Sequence, residues 1–310
     1  MAVSTTSRMT RSNAVRPRRV DQASGLREAM NPTPLVRPQV QVIAVSSGKG
    51  GVGKTNVVTN VAVASARQGR NVLVMDADLA LGNVDILLGL TPQYTIEDVL
   101  SGQRRLEEVL VSGPGGIQLL PATSGAESFT QLTHEQQLKL QTAFLELPQV
   151  PDLLLIDCAA GISPNVLYFS LVAHETVVLV SPDPTSLTDA YALIKILSTR
   201  YHLRIFRLLV NKVKHTQEGK EVFRKFSLVT DRFLSVTLDY MGCIPSDDYV
   251  TMAVAQQRAV CDLYPRAPAS RAFNSLVSTV QDWRGDHSWQ GGFQLFGPSA
   301  LTATRTVTEG

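Results

Sequence analysis

Short apolar runs recur along the chain, and most are followed by a stretch with helical spacing. Gln39–Ser46 is rich in β-branched residues and predicts a buried strand. Lys54–Gln68 sets Val57, Val58, Val61 and Ala62 on one face and stops at Gly69, which predicts a helix. Asn71–Met75 predicts a second buried strand, and Ile117–Leu120, Leu153–Ile156, Thr176–Val180 and Ile205–Val210 predict four more. Helical patterns fall at Glu135–Leu147, Pro164–Ala173, Ser186–Arg200 and Gln217–Phe226. Alternating strands and helices predict an α/β fold with a doubly wound, mostly parallel sheet. Right-handed crossovers then put helices on both faces.

Composition supports one sizeable core, with 44% apolar and 18% charged residues over 310 positions. No run approaches the roughly 20 apolar residues of a membrane span. The N-terminus has arginines but no apolar segment, so it does not read as a secretory signal. Cys158, Cys243 and Cys261 are far apart, which argues against a disulfide framework or a cysteine-ligated metal and fits a reducing cytoplasm. The five histidines show no ligand spacing.

Charge divides the chain. Residues 1–39 hold seven arginines against Asp21 and Glu28, a net +5; with +2 overall, the remainder carries −3. The first 39 residues are also rich in Ser, Thr and Pro, so they read as a disordered basic tail with a partner of its own. Residues 40–284 read as the folded domain. Residues 285–310, Gly-rich and without helical period, read as a loose C-terminal tail.

The chemistry is concentrated after the first strand. Gly48, Lys49, Gly50, Gly51, Val52, Gly53, Lys54 and Thr55 satisfy GxxxxGK(S/T), between a strand and a helix that opens through Asn56. Glycines let the backbone N–H groups turn inward around phosphates, and the helix N-terminus adds partial positive charge. Lys54 is expected on the β- and γ-phosphates of ATP, with Thr55 on Mg²⁺. Asp152–Asp157 is an apolar strand ending in a carboxylate, the Walker B form, so Asp157 is a second Mg²⁺ candidate. Asp76 and Asp78 follow the second strand, where the ligand crevice of an open α/β sheet lies. A capping or turn role for Asp76 is the plainer alternative, and a small buried thiol is the plainer reading of Cys158.

The second lysine of the loop, Lys49, is the "deviant" Walker A signature, and the chain resembles the MinD/ParA class of P-loop ATPases. That resemblance implies a MinD-like P-loop fold and an ATP-bound homodimer. It also implies that Lys49 acts on the partner's nucleotide, as an arginine finger would. It implies further that Asp78 positions the attacking water and joins Thr55 and Asp157 at the Mg²⁺ site, and that Asn211 reads adenine. An amide supplies the donor and acceptor that adenine's edge requires. Gly242–Asp247 resembles the class's segment beside the base.

Six stretches narrow the resemblance: Gly48–Asn60, Asp76–Leu90, Gly113–Gly125, Asp183–Lys195, Thr230–Phe233 and Gln257–Val260. From Gln41 to about Arg271 the chain is similar to the FlhG/FleN group, MinD-like regulators of bacterial flagellar number. In the tail, Asp21, Gln22, Ala23, Leu26 and Arg27 match that group's DQAxxLR motif. This implies an FlhF-type GTPase as partner; a FleQ-type transcription activator is implied as a second. Val20, Ala23, Leu26 and Met30 make an apolar stripe that would fold on its partner. A cytoplasmic protein enriched at the cell pole follows from the same likeness. The C-terminal tail departs from MinD-like proteins, for Arg305 is its only cation after Arg284, poor chemistry for anionic lipid. Two other readings stay open: a ParA-type partition ATPase on DNA, disfavoured by the acidic body, and a silent binding module acting through its tail.

Overall fold

A computed structural model of the chain describes Met1 and residues 40–79, 81–123 and 131–283. The expectations for residues 2–39 and 284–310, including Asp21, Gln22, Ala23, Leu26 and Arg27, lie outside these described residues. The strands are β1 (Gln41–Ser47), β2 (Val72–Ala77), β3 (Val111–Ser112), β4 (Gln118–Leu120), β5 (Leu153–Ala160), β6 (Glu175–Val180), β7 (Ile205–Val213) and β8 (Thr237–Pro245). The helices are α1 (Lys54–Arg67), α2 (Val84–Leu88), α3 (Ile96–Leu100), α4 (Leu106–Val109), α5 (His134–Leu145) and α6 (Pro164–Val172). They continue as α7 (Pro184–Tyr201), α8 (Thr216–Phe233), α9 (Asp248–Ala255), α10 (Val260–Leu263) and α11 (Pro268–Asp282). The strands form one sheet in the order β3-β4-β2-β5-β1-β6-β7-β8. Every pairing is parallel except β3 with β4.

Both faces of the sheet are covered. On one side Val57, Val58, Val61 and Ala62 of α1 pack with Phe273, Leu276 and Val277 of α11. On the other, Leu140 and Phe144 of α5, Phe169 of α6, Leu193 and Ile194 of α7 and Phe226 of α8 close the second core layer. Helix α1 shows how tertiary packing overrides propensity. Its valines are poor helix formers, yet nine consecutive residues from Val57 to Ser65 are buried, and each buried valine contributes about 1.5 kcal/mol or more. Caps fix several helix starts: Thr133 and Gln136 form a reciprocal capping box on α5. Asp183 caps α7, with Pro184 at its first position.

The six strands and five helices expected from the pattern are present, with ends displaced by a few residues. Strands β2 and β5 run further than expected, so Asp76 lies inside its strand and Asp157 is followed by three more strand residues. Strand β8 went unread because Asp239 and Gly242 interrupt its apolar pattern; it is a sheet edge with a register shift opposite Leu208–Leu209. Among the described residues no helix is long and apolar enough to cross a membrane.

Candidate functional site

The parallel strands deliver their C-terminal ends to one rim, and the loop from β1 to α1 lies at its centre, β1 being flanked by β5 and β6. Gly51 and Gly53 adopt left-handed φ values of 76° and 97°, which a side chain would strain. Gly48 is glycine for a different reason: a Cβ there would lie 2.1 Å from the backbone carbon of Asp189 in α7. A Cβ on Gly53 would lie 2.6 Å from Asn211 Nδ2. The loop is therefore wedged between α7 and the end of β7. Val52 is buried beneath it, Gly50 and Gly51 are exposed, and Lys54, Thr55 and Asn56 open α1.

One flank of the loop is acidic and largely buried. Asp76 on β2 and Asp157 on β5 are direct register partners and both are buried. Burial first, then the neighbouring Asp157 carboxylate, pushes the Asp76 pKa far above the usual carboxylate range. Burial likewise raises Asp157, against the Thr55 hydroxyl and the Lys54 ammonium, which favour its charged form. Asp78 is half-buried and also raised, mainly by burial, with Lys54 again opposing. The structure thus gathers Lys54, Thr55, Asp78 and Asp157. Asp157 Oδ1 is buried with no hydrogen-bond partner, an unmet acceptor of the kind a hard cation satisfies. Thr55 and Asp157 fit a Mg²⁺ ion on this ground. No group of three or more His, Cys, Asp or Glu side chains forms a cage among the described residues.

Asp76 has a role the sequence left as a cap or turn. Its Oδ1 accepts from Asp78 N at 3.1 Å, and its Oδ2 accepts from Asn83 N at 2.8 Å and Val84 N at 3.1 Å. One buried carboxylate thereby holds both ends of the segment from Asp78 to the start of α2. Cys158 is buried and its thiol is pushed up to about 12 by that burial, the inert state its neighbourhood dictates.

The other flank is exposed and already satisfied. Lys49 Nζ donates to Asp183 Oδ2 at 2.7 Å and to Thr185 Oγ1 at 2.5 Å. The ammonium is the main cause holding Asp183 below the usual carboxylate range. These partners belong to Asp183–Lys195, one of the six stretches on which the resemblance rests. Asn211 Nδ2 donates to Val52 O at 2.8 Å, and its Oδ1 accepts from Lys212 N at 2.9 Å. One amide hydrogen and one lone pair of Asn211 stay available to a ligand.

Residues 43–260 match the CobQ/CobB/MinD/ParA nucleotide binding domain. The chain is 49% identical over 244 residues to the antiactivator FleN of Pseudomonas aeruginosa, covering 79% of this chain and 87% of that one. It belongs to the MinD/ParA family, in the FleN group. A second relative of this group is the flagellum site-determining protein YlxH of Helicobacter pylori, 29% identical with 77% of this chain and 81% of that one covered. The Pyrococcus horikoshii MinD structure, complexed with Mg-ADP, superposes with a TM-score of 0.63 at 25% identity, covering 80% and 98% of the two chains. A ParA family ATPase from Chlorobium tepidum shares the fold at a TM-score of 0.65 and 19% identity, over 77% and 99% of the chains. In this FleN-group chain, Asp183, Thr185 and Lys212 touch the loop without having been given a role from sequence. The Asp-Pro start of α7, within a stretch that carried the resemblance, was a signal for the first two.

Proposed function

We propose that the chain is an ATP-switched ATPase that regulates flagellar number, with the nucleotide-bound homodimer as its active state. The observation that carries this reading is the gathering of Lys54, Thr55, Asp78 and Asp157 beside the phosphate loop, with Lys49 exposed at its outer flank, in a chain of the FleN group. ATP is the substrate and ADP and phosphate are the products. The loop amides and Lys54 bind the phosphates. Asp78 orients the attacking water. Thr55 and Asp157 would hold Mg²⁺, which would supply positive charge against the phosphate oxygens. Lys49 leaves Asp183 and Thr185 and reaches the partner subunit's nucleotide, stabilising charge as phosphate departs. Asn211 faces the base.

The output is the binding state. Dimerisation alters which surfaces are open to an FlhF-type GTPase, met by Asp21, Gln22, Ala23, Leu26 and Arg27, and to a FleQ-type activator. Leu228, Val229 and Phe233 are exposed beside Lys225 and Arg232 on α8, an apolar and basic face suited to an acidic amphipathic segment of such a partner. The protein is expected in the cytoplasm, enriched at the cell pole. A pulldown with ATP or ADP, comparing the full chain with one lacking residues 1–39, tests this reading. FlhF-type partner retained only by the full chain supports it; equal capture by both, or indifference to nucleotide in every partner, contradicts it.

A further inference from the structure

Lys212 lies where β7 loses its register with β8. Val210 pairs with Cys243 while Val213 pairs with Pro245, so β7 carries one extra residue over that interval. Such a bulge bends a strand and re-aims a side chain. Lys212 takes the conformational cost, with φ at 59°, a left-handed state that lysine seldom adopts. In return, two consecutive carbonyls of the phosphate loop are tied to β7. Lys212 Nζ donates to Gly51 O at 2.8 Å and Asn211 Nδ2 donates to Val52 O at 2.8 Å. Across a trans peptide plane the carbonyl and the next N–H point in opposite directions. Drawing the Gly51 and Val52 carbonyls towards β7 therefore aims the Val52 and Gly53 N–H groups away from it. The left-handed Gly51 and Gly53 permit that arrangement.

We propose that Lys212 is a positioning residue of the nucleotide site: its ammonium holds the Gly51 carbonyl outward, so that the loop amides are set for phosphate before nucleotide arrives. This rests on the ATP reading above. Lys212 acts on the loop backbone, unlike Lys54 and Lys49, whose expected targets are phosphates. The contact is the same before and during reaction, so its loss weakens binding of ATP and ADP together and leaves the chemical step alone. Ordering the loop in advance lowers the cost of binding.

The test compares the wild-type chain with Lys212→Ala, Lys212→Gly and Lys212→Arg. The readouts are ADP and ATP affinity by calorimetry, melting of the nucleotide-free protein, and kcat and KM. Alanine and glycine both remove the ammonium, but only glycine relieves the left-handed backbone. Both are expected to bind ADP and ATP about tenfold more weakly, while the glycine variant melts above the alanine variant. Turnover at saturating ATP stays near wild type, and arginine recovers part of the affinity. Affinity that follows melting temperature instead of the ammonium would reduce Lys212 to a structural residue and overturn the proposal, as would unchanged affinity in both variants or a kcat that falls as far as KM rises. A wild-type chain that bound neither nucleotide would remove the ATP reading and this proposal with it. Wild-type binding with unaltered variants removes this proposal alone.

Discussion

The two flanks of the phosphate loop hold charge in opposite ways. Towards β2 and β5, Asp76 and Asp157 are buried, side by side and short of positive charge. Towards α7 and β7, Lys49 and Lys212 are well placed on partners near solvent. On the first flank ionisation is held back, because a buried carboxylate costs far more than an exposed one. The second is complete as it stands, so for Lys49 to act elsewhere it has to exchange one set of partners for another. An exposed ion pair suits that exchange, since it contributes little net stability and breaks easily.

The largest effect should come from removing what the second flank releases. Lys49→Ala is expected to lower dimer-dependent turnover by about a thousandfold or more, on the scale of an arginine finger, with ATP affinity nearly kept; steady-state phosphate release beside calorimetric binding checks both. On the first flank, Asp157→Asn removes a buried carboxylate and with it the proposed Mg²⁺ ligand. The nucleotide-free variant should melt higher than wild type, while Mg²⁺ should cease to strengthen ADP binding. A lower melting temperature would mean that the charge is better accommodated than its burial implies. Away from both flanks, Phe169→Ala opens the core beneath α6 and should cost about 3–5 kcal/mol by denaturant unfolding, with any surviving folded protein still binding nucleotide.

The pH dependence separates the flanks more finely. With folded pKa values raised above unfolded ones, Asp76 and Asp157 hold more protons in the folded state across that interval. Stability of the nucleotide-free protein must then fall as pH rises from the ordinary carboxylate range towards neutrality. Added Mg²⁺ and ADP should raise the melting temperature more at about pH 8 than at about pH 6. The smallest effect is expected of Asp183→Ala. Freeing Lys49 should lower the ATP concentration needed for dimerisation by a few-fold, and a raised requirement would make the contact part of the dimer instead of a holder of the monomer.

Much of this arrangement was legible in the sequence, for identifiable reasons. The loop is local, and its glycines and lysines stand in one unbroken run, so chain order alone brings them together. Asp157 was legible because an apolar run ending in a carboxylate has few other uses. Asp76 was harder: only the structure shows its carboxylate spanning from Asp78 N to Val84 N. The ties of Lys49 to Asp183 and of Lys212 to Gly51 join residues 134 and 161 positions apart, and no spacing rule reaches that far. Strand β8 and helix α11 were missed for a simpler cause. An edge strand lacks the continuous apolar pattern of a central one, whereas α11 carries Phe273, Leu276, Val277 and Val280 at helical spacing but no chemical motif.

Sedimentation of the Asp78→Ala chain with ATP and Mg²⁺, with and without Lys49→Ala, tests the central claim most directly. Asp78→Ala alone should accumulate as a dimer with ATP and remain monomeric with ADP, and adding Lys49→Ala should dissolve that dimer. A chain that stays monomeric with ATP and Mg²⁺, or a dimer indifferent to Lys49, would contradict the account of a loop lysine shared between two subunits.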